Sequence, residues 1–171
     1  MAKHRPGKSN QRLYFAKIHL ENLNELNSKE NILHRKALYQ AHKEAFLFQL
    51  YGAFEGLLWE IANTYDVTMQ AGMGAEGLQR VCQQQERVCP EVDRLLDLSQ
   101  REGHWLQAFL RDWRKAQTLD PHEFGTLVAP ANLNSIEIRR VDDEENTDQL
   151  NQWHREMGEL INETRTILGE W

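Results

Sequence analysis

Two cysteines and four prolines in 171 residues leave no disulfide framework and few enforced helix breaks. Cys82 and Cys89 stand seven apart, the spacing of one helical face, and neither has a second Cys or His at zinc-finger spacing. They are expected as reduced thiols that pack as small apolar groups in a cytoplasmic protein. Long apolar runs are missing as well. The richest stretch, 45–62, contains Gln49, Glu55 and Glu60, which a bilayer would penalise by several kcal/mol. It reads as a core helix. The start, Met1-Ala2-Lys3-His4-Arg5-Pro6-Gly7-Lys8, carries charge with no apolar segment behind it, so it does not have the form of a secretory signal. There is no glycine-rich phosphate loop, nucleophile elbow or dinucleotide fingerprint. A di-metal bundle would place a glutamate three residues before a histidine. His34, His42, His104, His122 and His154 instead follow Asn31, Tyr39, Arg101, Leu119 and Asn151 at that distance. Neither metal nor cofactor is expected.

What remains is a soluble composition, 40% hydrophobic and 27% charged with a net charge of −6, of a length suited to one folded domain. Helical spacing dominates it. A first helix is predicted from a Ser9 or Asn10 cap to about Leu26, with Leu13, Ala16, Leu20 and Leu23 on one side. Ser28 is the predicted cap of a long second helix, whose stripe runs through Ala37, Ala41, Ala45, Phe48, Tyr51, Phe54, Leu58, Ile61 and Tyr65. Its second half adds Phe46, Leu47, Leu50, Leu57 and Trp59, so it is apolar nearly all round, and Gly52 and Gly56 imply a close backbone approach. Met69 to Gly77 reads as a flexible connection. A third region through Leu78, Val81, Val88, Val92 and Leu95 is expected to kink or divide at Pro90. Ser99 and Glu102 have the form of a capping box for a fourth helix that fades by Thr118. Asp120-Pro121 predicts another short helical start, and Ile136, Ile138 and Val141 allow a short strand within the irregular stretch 126–146. Asn146 or Thr147 should cap a last helix bearing Leu150, Trp153, Met157, Leu160, Thr164, Ile167 and Trp171. The sum is an all-α antiparallel bundle of four to five helices around the second, spanning 9–171, with 1–8 as a flexible basic leader.

Three groups of residues carry chemistry worth weighing. Arg35 followed by His42 resembles the arginine–histidine pattern of helical ribonucleases of the HEPN type, where the pair would act on a ribose hydroxyl and its phosphate. Chance matches are expected in a chain this rich in arginine and histidine, so two exposed helix residues explain it as well. Glu44 and Glu55 share a face and Glu60 points elsewhere; carboxylates in an apolar helix are either active acids or partners for a neighbouring cation. Lys3, Arg5 and Lys8, with Tyr14 and Phe15 close behind, would suit a phosphate-gripping arm, but the acidic net charge argues against nucleic acid as the partner.

The segment Ser9 to Lys17 and the segment His42 to Ala53 resemble a family of small uncharacterised proteins from gammaproteobacteria, pseudomonads and relatives. The resemblance implies a bacterial cytoplasmic helical protein, with no assigned activity and no site residues to carry over. The expected function is therefore a non-enzymatic module that contacts another protein or a second copy of itself, motivated by the apolar faces of 46–62 and by Trp105, Trp113, Trp153 and Trp171. The alternatives are an RNA binder or weak ribonuclease, and a small-molecule sensor with Glu44, Tyr51 and Glu55 around a cavity between helices.

Overall fold

The computed structural model describes residues 7–29, 34–118 and 147–169. Among them the chain forms six helices and no strand: α1 (Gly7–Ser28), α2 (Arg35–Thr64), α3 (Gly74–Gln84), α4 (Pro90–Gln100), α5 (Trp105–Gln117) and α6 (Thr147–Gly169). Helix α2 touches all the others and is the axis of the bundle. Contacts at four levels set the direction of α1 against it. Ser9 meets Glu60, Arg12 meets Gln49, His19 meets His42, and Asn27 meets Arg35, so the two helices run antiparallel. Helix α6 returns antiparallel to α1, with Thr147 at Asn27, His154 at Leu13 and Arg165 at Asn10.

The sequence explains why α2 is central. Tyr39, Phe46, Leu50, Ala53, Leu57 and Ile61 recur at helical spacing, and Leu47, Phe54, Leu58 and Ala62 widen that stripe into a broad buried surface. Leu50, Phe54 and Leu58 are 0%, 1% and 0% exposed, which places the long rod inside its neighbours. Trp153 from α6 and Phe109 from α5 meet edge to face in the same core, ring centres 5.8 Å apart. Gly56 lets α1 close in: a Cβ there would lie 3.1 Å from the Ser9 Cα. The expected close approach is thus real at Gly56, whereas Gly52 faces the side chain of Arg12.

Several expectations are corrected. The stripe through Ala37, Ala41, Ala45 and Phe48 is not the core face, for Ala37, Ala41 and Phe48 are exposed; alanines are small enough for either face and do not fix which side of a helix is buried. Ser9 is no cap, since α1 begins at Gly7 and Ser9 is completely buried against Glu60. Nor does Ser28 cap α2. It ends α1 and donates to the Glu25 carbonyl, and α2 begins after His34, whose φ of 59° turns the chain. Ser99 and Glu102 form no capping box: Ser99 lies within α4 and donates to the Leu96 carbonyl, and the cap of α5 is His104. The connection ends at Met73, so Gly77 is helical. Pro90 divides its region into two helices and takes the first position of α4, where a missing N–H costs nothing. Cys82 and Cys89 consequently sit on different elements, although both are buried free thiols. The leader residues 1–6, the Asp120-Pro121 start, the Asn146 cap, the stretch 126–146 with Ile136, Ile138 and Val141, and Trp171 lie outside the described residues.

Candidate functional site

The long stretch 46–62 is covered by the other helices except at Phe48, and the remaining exposed apolar groups lie outside it. Among the described residues five large hydrophobic side chains stand out in water: Tyr14 and Ile18 on α1, Leu38 and Phe48 on α2, and Val88 in the α3–α4 turn. Four of the five belong to the outer side of one helix pair. Phe48 is the more exposed of the α2 pair, at 57%, because position 48 points between α1 and α5, away from the core. The Arg12 guanidinium sits over its ring at 5.8 Å and is held there by a 2.8 Å bond to Gln49.

Beside Phe48 a shallow cleft of about 190 Å³ opens between α2 and α5, lined by Glu44, Leu47, Phe48, Trp113, Ala116 and Gln117. Its wall is rigid. Trp113 stacks flat on Tyr51, with ring centres 3.5 Å apart and planes 8° from parallel. The Trp113 indole N–H is buried and has no hydrogen-bond partner. Burial, then the neighbouring Glu55 carboxylate, raises the Tyr51 pKa, so this phenol stays neutral. Two of the three polar groups expected around a cavity, Glu44 and Tyr51, are therefore at or behind this cleft. Glu55 is not among its lining residues; its carboxylate accepts the Gly72 N–H at 2.6 Å and ties the α2–α3 connection to α2.

The other candidates separate. Arg35 donates to the Asn27 side chain at 3.3 Å, and His42 meets His19, so the arginine and histidine each have a partner on α1. A second small cleft of about 120 Å³ lies at that level, lined by Asn22, Glu25, Leu26, Lys29 and His42. Glu60 proves to be the cation partner foreseen as the ordinary outcome. Arg165 Nε and Nη2 reach its two oxygens at 2.7 and 2.8 Å, and Ser9 donates to the same carboxylate. The hydrogen bonds to Glu60 raise the Arg165 pKa, and the cluster pins α1, α2 and α6 together. Among the described residues no group of three or more His, Cys, Asp or Glu is placed to hold a metal ion, and no helix is long and apolar enough to cross a membrane.

Sequence reasoning missed three polar contacts. Tyr65 donates to the buried Glu91 at 2.5 Å, and burial first, this bond second, raises the phenol's pKa. Burial also pushes the Cys89 thiol up to about 12, with Cys82 beside it the next cause, so Cys89 does not behave as a reactive thiolate. The third contact is His19 with His42, 23 residues apart on different helices, a pairing for which no local pattern exists.

No curated protein and no solved structure matches the chain. A family description covers it from end to end, residues 1–171, and on that match the chain belongs to the family of unknown function DUF6586.

Proposed function

We propose that this protein is a non-enzymatic docking module whose contact surface is the outer side of the α1–α2 pair, and that the surface is occupied by a second copy of the chain. The observation that carries the reading is the exposed Phe48 beside a cleft walled by the stacked Trp113, with Ile18 and Leu38 on the same helix pair. Exposed aromatic side chains beside preformed cavities are the usual anchors of protein contacts. The size of the cleft supports the same choice. At about 190 Å³ it falls below the roughly 300 Å³ at which small-ligand sites begin, and suits one inserted side chain.

Charge favours a second copy as occupant. Helices α1 and α2 carry six basic and five acidic side chains, so the chain's whole acidic excess lies outside them. Two chains of net charge −6 repel, and a contact made through this nearly neutral helix pair adds no further like charge to that repulsion.

Light scattering on the purified chain tests the proposal. The expected mass is that of a dimer at about 100 µM, with Phe48→Glu and Ile18→Glu each monomeric and still helical. A monomer throughout that range, or a dimer untouched by both substitutions, overturns it. Binding of a small molecule would instead give thermal stabilisation that is lost in Trp113→Ala, with no change in mass.

A further inference from the structure

The imidazoles of His19 and His42 face each other across the α1–α2 seam, with Nδ1 to Nδ1 at 3.3 Å and ring centres 5.6 Å apart. The ring centres are further apart than the nitrogens by about one ring width, so the rings meet end to end rather than face to face. In that arrangement one nitrogen must donate and the other accept. A neutral pair meets the condition with a single N–H, and so does a pair that shares one extra proton. A pair carrying two extra protons does not: N–H faces N–H, and two positive charges lie about 3 Å apart in a half-buried seam.

We infer that His19 and His42 form an acid-sensitive clasp, which holds α1 to α2 while the pair carries at most one extra proton and opens that seam when both rings are protonated. The surrounding charges offer the second proton no relief. From α1, Glu25 and Lys29 line the cleft at His42, and the carboxylate is already bonded to the lysine at 3.1 Å. On α2 the next residue, Lys43, adds positive charge. From α6, Asn151 meets Asn24 and the His154 imidazole meets the Leu13 carbonyl of α1, and neither contact adds a carboxylate. Burial first, then His42, holds the His19 pKa below its usual value. A lowered folded-state value means that the unfolded chain binds the proton more readily. The clasp's contribution is thus complete above about pH 6.5 and is lost as pH falls through the lower folded value.

Ile18 adjoins His19 in the chain, and Leu38 lies one turn before His42, so an opened seam would also displace two of the exposed apolar groups. The clasp itself does not depend on self-association. It is tested on the native chain by following both imidazoles by nitrogen NMR from about pH 8 to about pH 4.5, alongside melting curves of the native chain, His19→Gln and His42→Gln. Two separated titration steps are expected, the lower one accompanied by shifts in α1 and α2 amides. The native Tm should fall by about 3 °C more than that of either variant between about pH 7.5 and about pH 5. Two independent titrations near the ordinary value of about 6.5, or an equal fall in all three proteins, overturn the inference. Should a glutamine variant fail to fold, the native NMR titration decides alone.

Discussion

Gly52 and Gly56 stand one turn apart on α2, yet a methyl group added at each would meet different matter. At Gly56 it would meet the Ser9 backbone, Cα at 3.1 Å and N at 3.2 Å. Ser9 cannot easily retreat, because its hydroxyl is tied to Glu60 and receives a 2.6 Å bond from Arg165. At Gly52 the methyl would meet only the Arg12 side chain, its Cδ, Cγ and Nε at 3.1 to 3.4 Å, and a flexible side chain can give by a few tenths of an ångström where a backbone cannot. Alanine gains about 1 kcal/mol over glycine inside a helix, so the sign at each site depends on whether its neighbour yields. Gly56→Ala is therefore expected to destabilise by about 1–2 kcal/mol through enforced separation of α1 from α2. Gly52→Ala should be neutral or stabilising by up to about 0.5 kcal/mol. Urea unfolding of the two variants against the parent measures both, and equal effects of the same sign would remove the distinction between backbone and side-chain contact.

At the scale of elements, the start of α5 shows how a histidine takes the role of a cap. His104 has extended backbone, and its Nδ1 accepts the Leu106 N–H at 3.2 Å. Only a neutral ring can accept, and burial, then the Arg101 guanidinium, lowers the His104 pKa. With the folded value lowered, the cap stabilises fully above the unfolded value of about 6.5 and fails as pH falls through the folded value. His104→Ala is thus expected to cost about 1 kcal/mol at neutral pH and little near pH 4.5, whereas His104→Asp should hold the cap at neutral pH. Melting curves of the three proteins at the two pH values would show this, and a cost that does not vary with pH would assign it to packing on Trp105 instead. The same site marks the boundary of what a sequence discloses. Helix existence was legible wherever a long apolar period ran, as in Leu150, Trp153, Met157 and Leu160, all buried in α6. Caps were not, because Ser9, Ser28 and Ser99 offer the favoured side chain at places where burial or chain reversal decides otherwise. Phase failed on α2 for a related reason: small alanines fit either face, and only the bulk of Phe46, Leu50 and Leu57 fixes which one is inside. Of the candidate site, Glu44 and Tyr51 were nameable from α2 alone. Trp113 and Phe48 became a cleft only once α5 was laid beside α2, a contact across more than sixty positions that local pattern does not encode.

For the whole molecule, the division of charge turns the proposed contact into a salt prediction. Helices α1 and α2 together are nearly neutral while the whole chain carries −6, so two copies meeting through that pair gain apolar burial against a residual repulsion between their net charges. Added salt shortens the reach of that repulsion from about 10 Å at 0.1 M to about 3 Å at 1 M while leaving apolar burial intact or slightly strengthened. Self-association should therefore tighten as sodium chloride rises from about 0.05 to about 0.5 M, by roughly three- to tenfold in Kd, or about 1 kcal/mol. A contact that depended on the cations of α1, Lys8, Arg12 and Lys17, gripping an anionic polymer would move the other way, because bound counterions are released and salt opposes the binding. Sedimentation across the salt series separates the two by direction. A dimer that dissociates as salt rises would mean that charge pairing, and not the exposed Phe48 and its neighbours, supplies the contact.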